Sequence, residues 1–490
     1  MRRWALPLAL ILAGSAFIAA LRVYNARSKQ ELDSQMGIPK PATITPAVAL
    51  LQQYVRIDTS NPPGKELAGA RFLAGLLEKD GIRAEIIESA PGRASVYARI
   101  AGKQHADGLL LLNHIDVVPA TNDGWTRPPF AAEVFLNQLY GRGALDMKGI
   151  AICELLAFTE LARTRRVPER DIVFLATADE EAGGSKGLAW LLDHRPDIFE
   201  GIRYAINEGG ITETTRERIT YFGIEIGTKM TVKALLRAHD RSSMQALRIA
   251  LEPYITPVDP DRVLPEVREF LHDVAPLRIE QRQLLDDINR TIALDKFWLL
   301  SSGYRELMQN VVWAAKIESD ARGATMHVSL YNLPDENPET RIAWLRGFAA
   351  RYGVTIEQVL ETSGPAPLSS RHTPMFEIIA AEAARQYPGT RTGSEVLAAS
   401  YNDSRYLRAR GISAYGLMPF PTDWYQTQGI HSIDERARVD WFNAGVALMQ
   451  RITNHLAFEA NSSFEPMTQF VRTTTRKPST NGGCRSDPAT

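Results

Sequence analysis

The chain has 490 residues, enough for two or more domains and a sizeable core. Its 44% hydrophobic and 23% charged residues are ordinary for a globular protein, and 56 Lys and Arg against 57 Asp and Glu leave a net charge of -1. That balance argues against a nucleic-acid binder, and the two cysteines argue against a disulfide framework and exclude a cysteine-based metal site.

Met1-Arg2-Arg3 precedes a stretch that is uncharged from Trp4 to Leu21, a basic region followed by an apolar run, as in export signals. Its length lies near the lower limit for a membrane span, roughly 18 residues. Ala16 and Ala20 permit cleavage without requiring it. The expectation is an exported protein, with residues 1–21 as a signal peptide or, slightly favoured, an uncleaved membrane anchor, and its folded part outside the cytoplasm. Residues 22–43 then read as a polar tether.

From Pro46, AVALLQQYVRI has helical periodicity; GARFLAGLLEKDGI repeats it, with Gly81 suited to end that helix. Apolar runs at Leu109–Leu112, Ile172–Ala176 and Tyr204–Ile206 alternate with helical stretches such as GIAICELLAFTELART, where Cys153 lies. That alternation predicts an α/β fold, a mostly parallel sheet flanked by helices, over residues 44–227. Between 228 and 360 the texture changes. Helical SMQALRIALEPY, LPEVREFLHDVAPL and ETRIAWLRGFAARYG mix with strand-like MTVKALL and ATMHVSLY, and predict an inserted smaller α+β domain. The α/β pattern resumes over 361–457, and the polar stretch 458–490, with Cys484, reads as a disordered tail.

Chemistry-bearing residues follow each apolar run. GLLLLNHIDVVP ends in His114 and Asp116, DIVFLATADEE in Glu180 and Glu181, and RYAINEGG in Glu208. In an open parallel sheet, ligands bind beyond the carboxyl ends of the strands, so these groups arrive at one sheet edge. LYGRGALDMKGI adds Asp146 before a helix, and TQGIHSIDE presents His431 on a loop. Any one of these alone is more often a surface acid or a satisfied core histidine. Together, two histidines and three carboxylates form a ligand set for two divalent ions, zinc first. A competing reading takes Gly183-Gly184-Ser185-Lys186-Gly187 as a nucleophile elbow with Ser185 as nucleophile. Three acids stand between that serine and the strand, where negative charge would oppose an oxyanion.

In the motifs LLLLNHIDVVP, LYGRGALDMKG, FLATADEEAGGSKG, AINEGG, YNDSRYLRARGISAYG and GIHSIDER, from about Pro46 to Ala457, the chain resembles the di-zinc metallopeptidases. That family includes aminoacylase, acetylornithine deacetylase, succinyl-diaminopimelate desuccinylase and carboxypeptidase G. The resemblance implies that Asp146 bridges two Zn2+ ions, with Co2+ or Mn2+ as substitutes. It implies His114 and Glu208 as ligands of one ion and Glu181 and His431 as ligands of the other. Asp116 is then the residue that orients His114, and Glu180 the general base on a water between the ions.

The inserted domain departs from the family's pattern. RAHDRSSM keeps His239 and Ser243 without flanking glycines, and SLYNLPDE places Tyr331 near an expected arginine, which leaves Arg241 or Arg322 as replacements. His239, Asn402 and Arg405 are the expected substrate contacts, and the family's lid implies a homodimer. The expected activity is cleavage of an amide bond in a small peptide or N-acyl amino acid, and the apolar faces of the insert's helices favour a bulky acyl group. The alternatives are a non-catalytic protein that binds two metal ions with a degenerate lid, and a serine hydrolase using Ser185.

Overall fold

The computed structural model describes residues 42–210, 212–215, 218–251, 259–364, 367–397 and 401–459. The expected anchor, nearly all of the tether, and the tail from residue 460 lie outside the described residues. Among the described residues, no helix is long and apolar enough to cross a membrane.

The strands begin with β1 (Ala84–Ala90), β2 (Arg93–Ile100), β3 (Gln104–His114), β4 (Val134–Phe135), β5 (Gln138–Tyr140) and β6 (Arg170–Thr177). They continue with β7 (Ile202–Asn207), β8 (Thr212–Thr215), β9 (Arg218–Thr228), β10 (Met230–Ala238), β11 (Val311–Ala314) and β12 (Glu318–Asp320). The last five are β13 (Gly323–Asn332), β14 (Val354–Thr362), β15 (Arg391–Leu397), β16 (Ser413–Gly416) and β17 (Arg436–Arg438). Nine of them form the large sheet, in the order β1-β2-β6-β3-β7-β16-β9-β15 with β8 beside β9. Its central run β6-β3-β7-β16 is parallel.

The continuous run Leu109–Leu112 is apolar because both faces of this sheet are covered. Leu109 and Leu111 join the core beneath the helices Pro46–Val55, Glu66–Lys79, Lys148–Arg163, Pro374–Gln386 and Val439–Phe458. Leu110 and Leu112, pointing the other way, pack with Leu188, Leu191 and Leu407 from the helices Leu188–His194 and Ser404–Arg408. Gly81, at φ +74, follows the second helix as its sequence requires.

A second sheet runs β11-β13-β10-β14, with β12 beside β13. One face of it (Val232, Ala234, Leu236, Met326, Val328, Leu330) is buried under the helices Arg241–Leu251 and Pro338–Ala350. The helix Pro265–Val274 behaves differently: Val267, Phe270, Leu271 and Val274 join the core of the large sheet, against β15. A small three-stranded sheet, β17-β5-β4, completes the fold.

Candidate metal centre

His114 closes β3, Glu180 and Glu181 follow β6, and Glu208 follows β7, so three adjacent parallel strands deliver four ionisable groups to one edge. Asp146 sits just before the helix Lys148–Arg163. His431 lies on the loop before β17 with φ +57, a conformation that costs a non-glycine residue of order 1–3 kcal/mol.

The distances sort the six residues. His114 Nε2 lies 3.1 Å from Asp146 Oδ1 and 3.7 Å from Glu208 Oε1. His431 Nε2 lies 3.0 Å from Asp146 Oδ2 and 3.0 Å from Glu181 Oε2. Each oxygen of Asp146 therefore faces a different imidazole, each with its own glutamate. Ligand atoms of His114, Glu180 and Glu208, and those of His114, Asp146 and Glu181, lie close enough together to hold an ion.

The electrostatics say what this cluster needs. Burial, then Asp146, pushes the Glu208 carboxyl up to about 7. Burial and Asp146 also raise Glu181, and burial and Glu208 hold Glu180 well above its ordinary value. Hydrogen bonds to Asp146 and Glu181 raise His431 to about 11. Burial disfavours charge on His114, yet Glu208, Asp116 and Asp146 hold it well above the usual imidazole range. Buried acids at these spacings repel one another unless positive charge lies among them. Oε1 of Glu180 and Oε1 of Glu181 are buried without a hydrogen-bond partner among the described residues. Nitrogen and oxygen donors of this number fit two borderline divalent ions such as zinc.

The turn that carries the two glutamates differs from the extended segment that an apolar strand end suggests. Glu180–Ala182 is one turn of 3-10 helix, entered through Asp179 at φ +72 and left through Gly183 at φ +95. Successive residues of such a turn diverge by about 120°, which still sends Glu180 and Glu181 to different partners. Asp116 holds the turn: Oδ1 accepts the Glu180 N–H and Oδ2 the Glu181 N–H, both at 3.2 Å. His114 Nδ1 meets the carbonyl of Asp116 at 2.9 Å and its Oδ1 at 3.6 Å, so the backbone is the nearer orienting group.

The third acid, Asp179, is a structural anchor. It pairs with Arg93 at 2.5 Å and accepts from Asn61, Ser185 and the Lys186 N–H. Ser185 spends its hydroxyl on Asp179 at 3.2 Å, a tie within the turn. Glu435, fully buried, accepts the N–H groups of Gly143, Leu145 and Asp146 and pairs with Arg142 at 2.7 Å, fixing the Asp146 backbone. It stands within the GIHSIDER motif four residues after His431, which was its visible signal. Arg93, Asn61 and the Arg93 partner Glu66 carry no local signal, because sequence separations of up to 118 residues divide the partners.

Asn402 donates to the Glu208 carbonyl at 3.1 Å, and Arg405 donates to the Gly183 carbonyl at 3.2 Å. Both are buried and hold the backbone behind the cluster. His239 is exposed on the turn after β10, outside the cluster. Arg241 is tied to the Ile317 carbonyl and Ser319, and Arg322 lies with Asp320 and Glu357 at the β12–β13 hairpin. A cavity of about 790 Å³ lies at the end of β15, walled by Phe270, Leu277, Tyr304, Leu307 and Val396, with Thr212 opposite.

The model of peptidase family M20/M25/M40 matches residues 110–455. A probable succinyl-diaminopimelate desuccinylase of Staphylococcus aureus is 36% identical over 135 residues, 27% of this chain and 33% of that protein. Aminoacylase-1A of Rattus norvegicus is 33% identical over 187 residues, 37% of this chain and 45% of that protein. The matched stretch thus spans less than half the length of these curated relatives. Among solved structures, the M20 family metallo-carboxypeptidase Sso-CP2 of Sulfolobus solfataricus is similar with a TM-score of 0.64 at 19% identity, over 84% of this chain and 99% of that one. Human carnosine dipeptidase 1 is similar with a TM-score of 0.62 at 15% identity, over 87% and 97%. At these identities the likeness is one of fold.

Proposed function

The chain belongs to peptidase family M20/M25/M40, and from that premise we propose that it is a di-zinc hydrolase cleaving the amide bond of a small peptide or an N-acyl amino acid. The observation that carries this is the carboxylate of Asp146, whose two oxygens face His114 at 3.1 Å and His431 at 3.0 Å, with Glu208 and Glu181 beyond. His114, Glu208 and Asp146 would hold one ion, and His431, Glu181 and the same Asp146 the other. When bound, zinc supplies Lewis acidity toward a carbonyl and lowers the pKa of water to about 7.

Glu180 is the general base in this reading. It is only 6% exposed, takes part in neither His431 contact, and keeps a buried oxygen free of hydrogen bonds among the described residues. That oxygen accepts a proton from the attacking water and returns it to the leaving nitrogen. Asp116 fixes where Glu180 stands through the backbone of its turn. The segment Trp4–Leu21 anchors the exported protein to a membrane, and the second sheet pairs two copies.

Hydrolysis of a panel of N-acyl amino acids and dipeptides, with and without chelator, tests the reading. Zinc-restored turnover supports it. Two retained zinc ions with no turnover across the panel would favour a metal-binding protein without catalysis. Chelator-resistant turnover abolished by Ser185→Ala would favour the serine hydrolase. Fractionation of cells and sedimentation of the purified protein test the anchor and the pairing.

A further inference from the structure

A cluster of side chains links the second sheet to the turn that carries Glu180 and Glu181. Lys233 and Glu361 stand opposite each other on β10 and β14 and pair at 3.0 Å. Lys233 Nζ donates to the Tyr401 hydroxyl at 2.6 Å, which donates to Glu361 Oε2 at 2.8 Å. Arg405, buried, lies over the rings of Tyr401 and Tyr406 at 4.3 and 4.5 Å. Arg405 Nη2 and the Tyr406 hydroxyl both donate to the Gly183 carbonyl, at 3.2 and 2.6 Å. The Gly183 N–H in turn donates to the Glu180 carbonyl at 2.8 Å. A line of contacts thus runs from the second sheet through Glu361, Arg405 and Gly183 to Glu180.

One link in that line is stretched. Arg405 Nη2 and Glu361 Oε1 are 3.6 Å apart, an ion pair too long for a hydrogen bond. Among the described residues, Glu361 Oε1 and Arg405 Nε have no hydrogen-bond partner although both are buried. Such atoms are costly to leave unpaired, and a forked arginine–carboxylate pair would satisfy both. An approach of about 0.7 Å reaches the ~2.9 Å of a charge-assisted bond. Glu361 already abuts the turn: a Cβ placed on Gly183 would meet its carboxyl carbon at 3.5 Å.

We propose that Glu361 is a positioning residue: through Arg405 it couples the second sheet to the Gly183 carbonyl, and so sets the turn that carries Glu180. The assignment rests on the reading of Glu180 as general base, but the coupling has its own readout. The variant is Glu361→Gln in the full-length, zinc-loaded protein, which keeps shape and removes charge. Hydrogen exchange of the peptide spanning residues 178–187 is expected to speed up about tenfold, with exchange elsewhere unchanged. On the preferred amide substrate, kcat is expected to fall about tenfold to a hundredfold, with KM and metal content little changed.

Unchanged exchange in the turn would overturn the proposal. So would faster exchange throughout the chain with a lowered melting temperature, since that is loss of fold rather than of position. Lys233→Met cuts the other ion pair of Glu361 and supplies the comparison. If it slows kcat as much as Glu361→Gln does, the link to Arg405 is not what matters and the proposal fails. If the unaltered protein turns over no amide, the hydrolase reading fails while the exchange result still decides the coupling.

Discussion

Replacing Arg93 by methionine removes a charge that touches no metal ligand directly, yet stands behind the turn carrying Glu180 and Glu181. The guanidinium contacts Glu66 at 2.6 Å and Asp179 at 2.5 Å, and the side chains of all three are between 0% and 6% exposed. Methionine keeps most of the aliphatic packing and leaves two carboxylates buried without their cation. Breaking a buried ion pair from one side costs about 3–5 kcal/mol. Asp179 retains Asn61, Ser185 and the Lys186 N–H, which limits its share of the loss. Glu66 keeps only a hydrogen bond to its own backbone. Burial, then Asp116, raises its pKa against the pull of Arg93, and removing Arg93 raises it further. A group with a raised folded-state pKa makes the fold lose stability as pH rises through that value. The loss should therefore grow as pH rises above the ordinary carboxylate value of 4.5. Denaturant unfolding of the zinc-loaded variant, followed by tryptophan fluorescence, measures the cost, and zinc titration measures the effect on the turn. A loss below about 1 kcal/mol with unaltered zinc affinity would refute the argument. Adding Asp179→Asn should recover part of the loss, with a coupling of about 0.5–3 kcal/mol.

Glu180→Gln should retain its metal, by elemental analysis, and lose about 10²–10⁴-fold in kcat, because the base is gone while the ligands stay. Full activity in that variant would exclude Glu180 as the base. Glu435→Gln weakens the acceptor of three backbone N–H groups around Asp146 and removes the carboxylate charge facing Arg142, so zinc affinity should fall about 10–100-fold in a competition titration. The chelated protein should lose stability with rising pH. Glu208 is raised from 4.5 to about 7 and His431 from 6.5 to about 11, so between about pH 5 and 7 these two groups hold more protons in the metal-free fold than in the unfolded chain. Asp146 is shifted the other way, and its contribution is lost only below its ordinary value of 3.8. Melting curves from about pH 5 to about pH 7 should fall for the chelated protein and not for the zinc-loaded one, whose metal displaces those protons; above about 7 the buried Lys148 and Lys229 act in the opposite sense.

The candidate site was legible because its residues sit at positions that local patterning exposes. A run such as Leu109–Leu112 declares a strand covered on both faces, and the C-terminal ends of parallel strands then collect whatever polar residues follow. His114, Glu180, Glu181 and Glu208 could be placed on one edge before any coordinate was known. The conformation of the turn was less legible, since Asp179 adopts φ +72 without being glycine, held there by partners from distant segments. The helix Pro265–Val274 shows another limit. Its periodicity identifies an apolar stripe but not the surface that stripe covers, and it packs on β15 of the large sheet.

The sequence by itself determined the α/β architecture, the family and the group of residues delivered to one sheet edge, because strand and helix periods, glycine turns and the polar residues after each strand are local properties. Tertiary structure alone decided which oxygen of Asp146 faces which histidine, that Asp116 and Asp179 hold the glutamate turn by its backbone, and that Glu361 reaches it from the second sheet. Those facts depend on contacts between segments up to hundreds of residues apart, and a buried charge names its partner only once the chain has brought the two together.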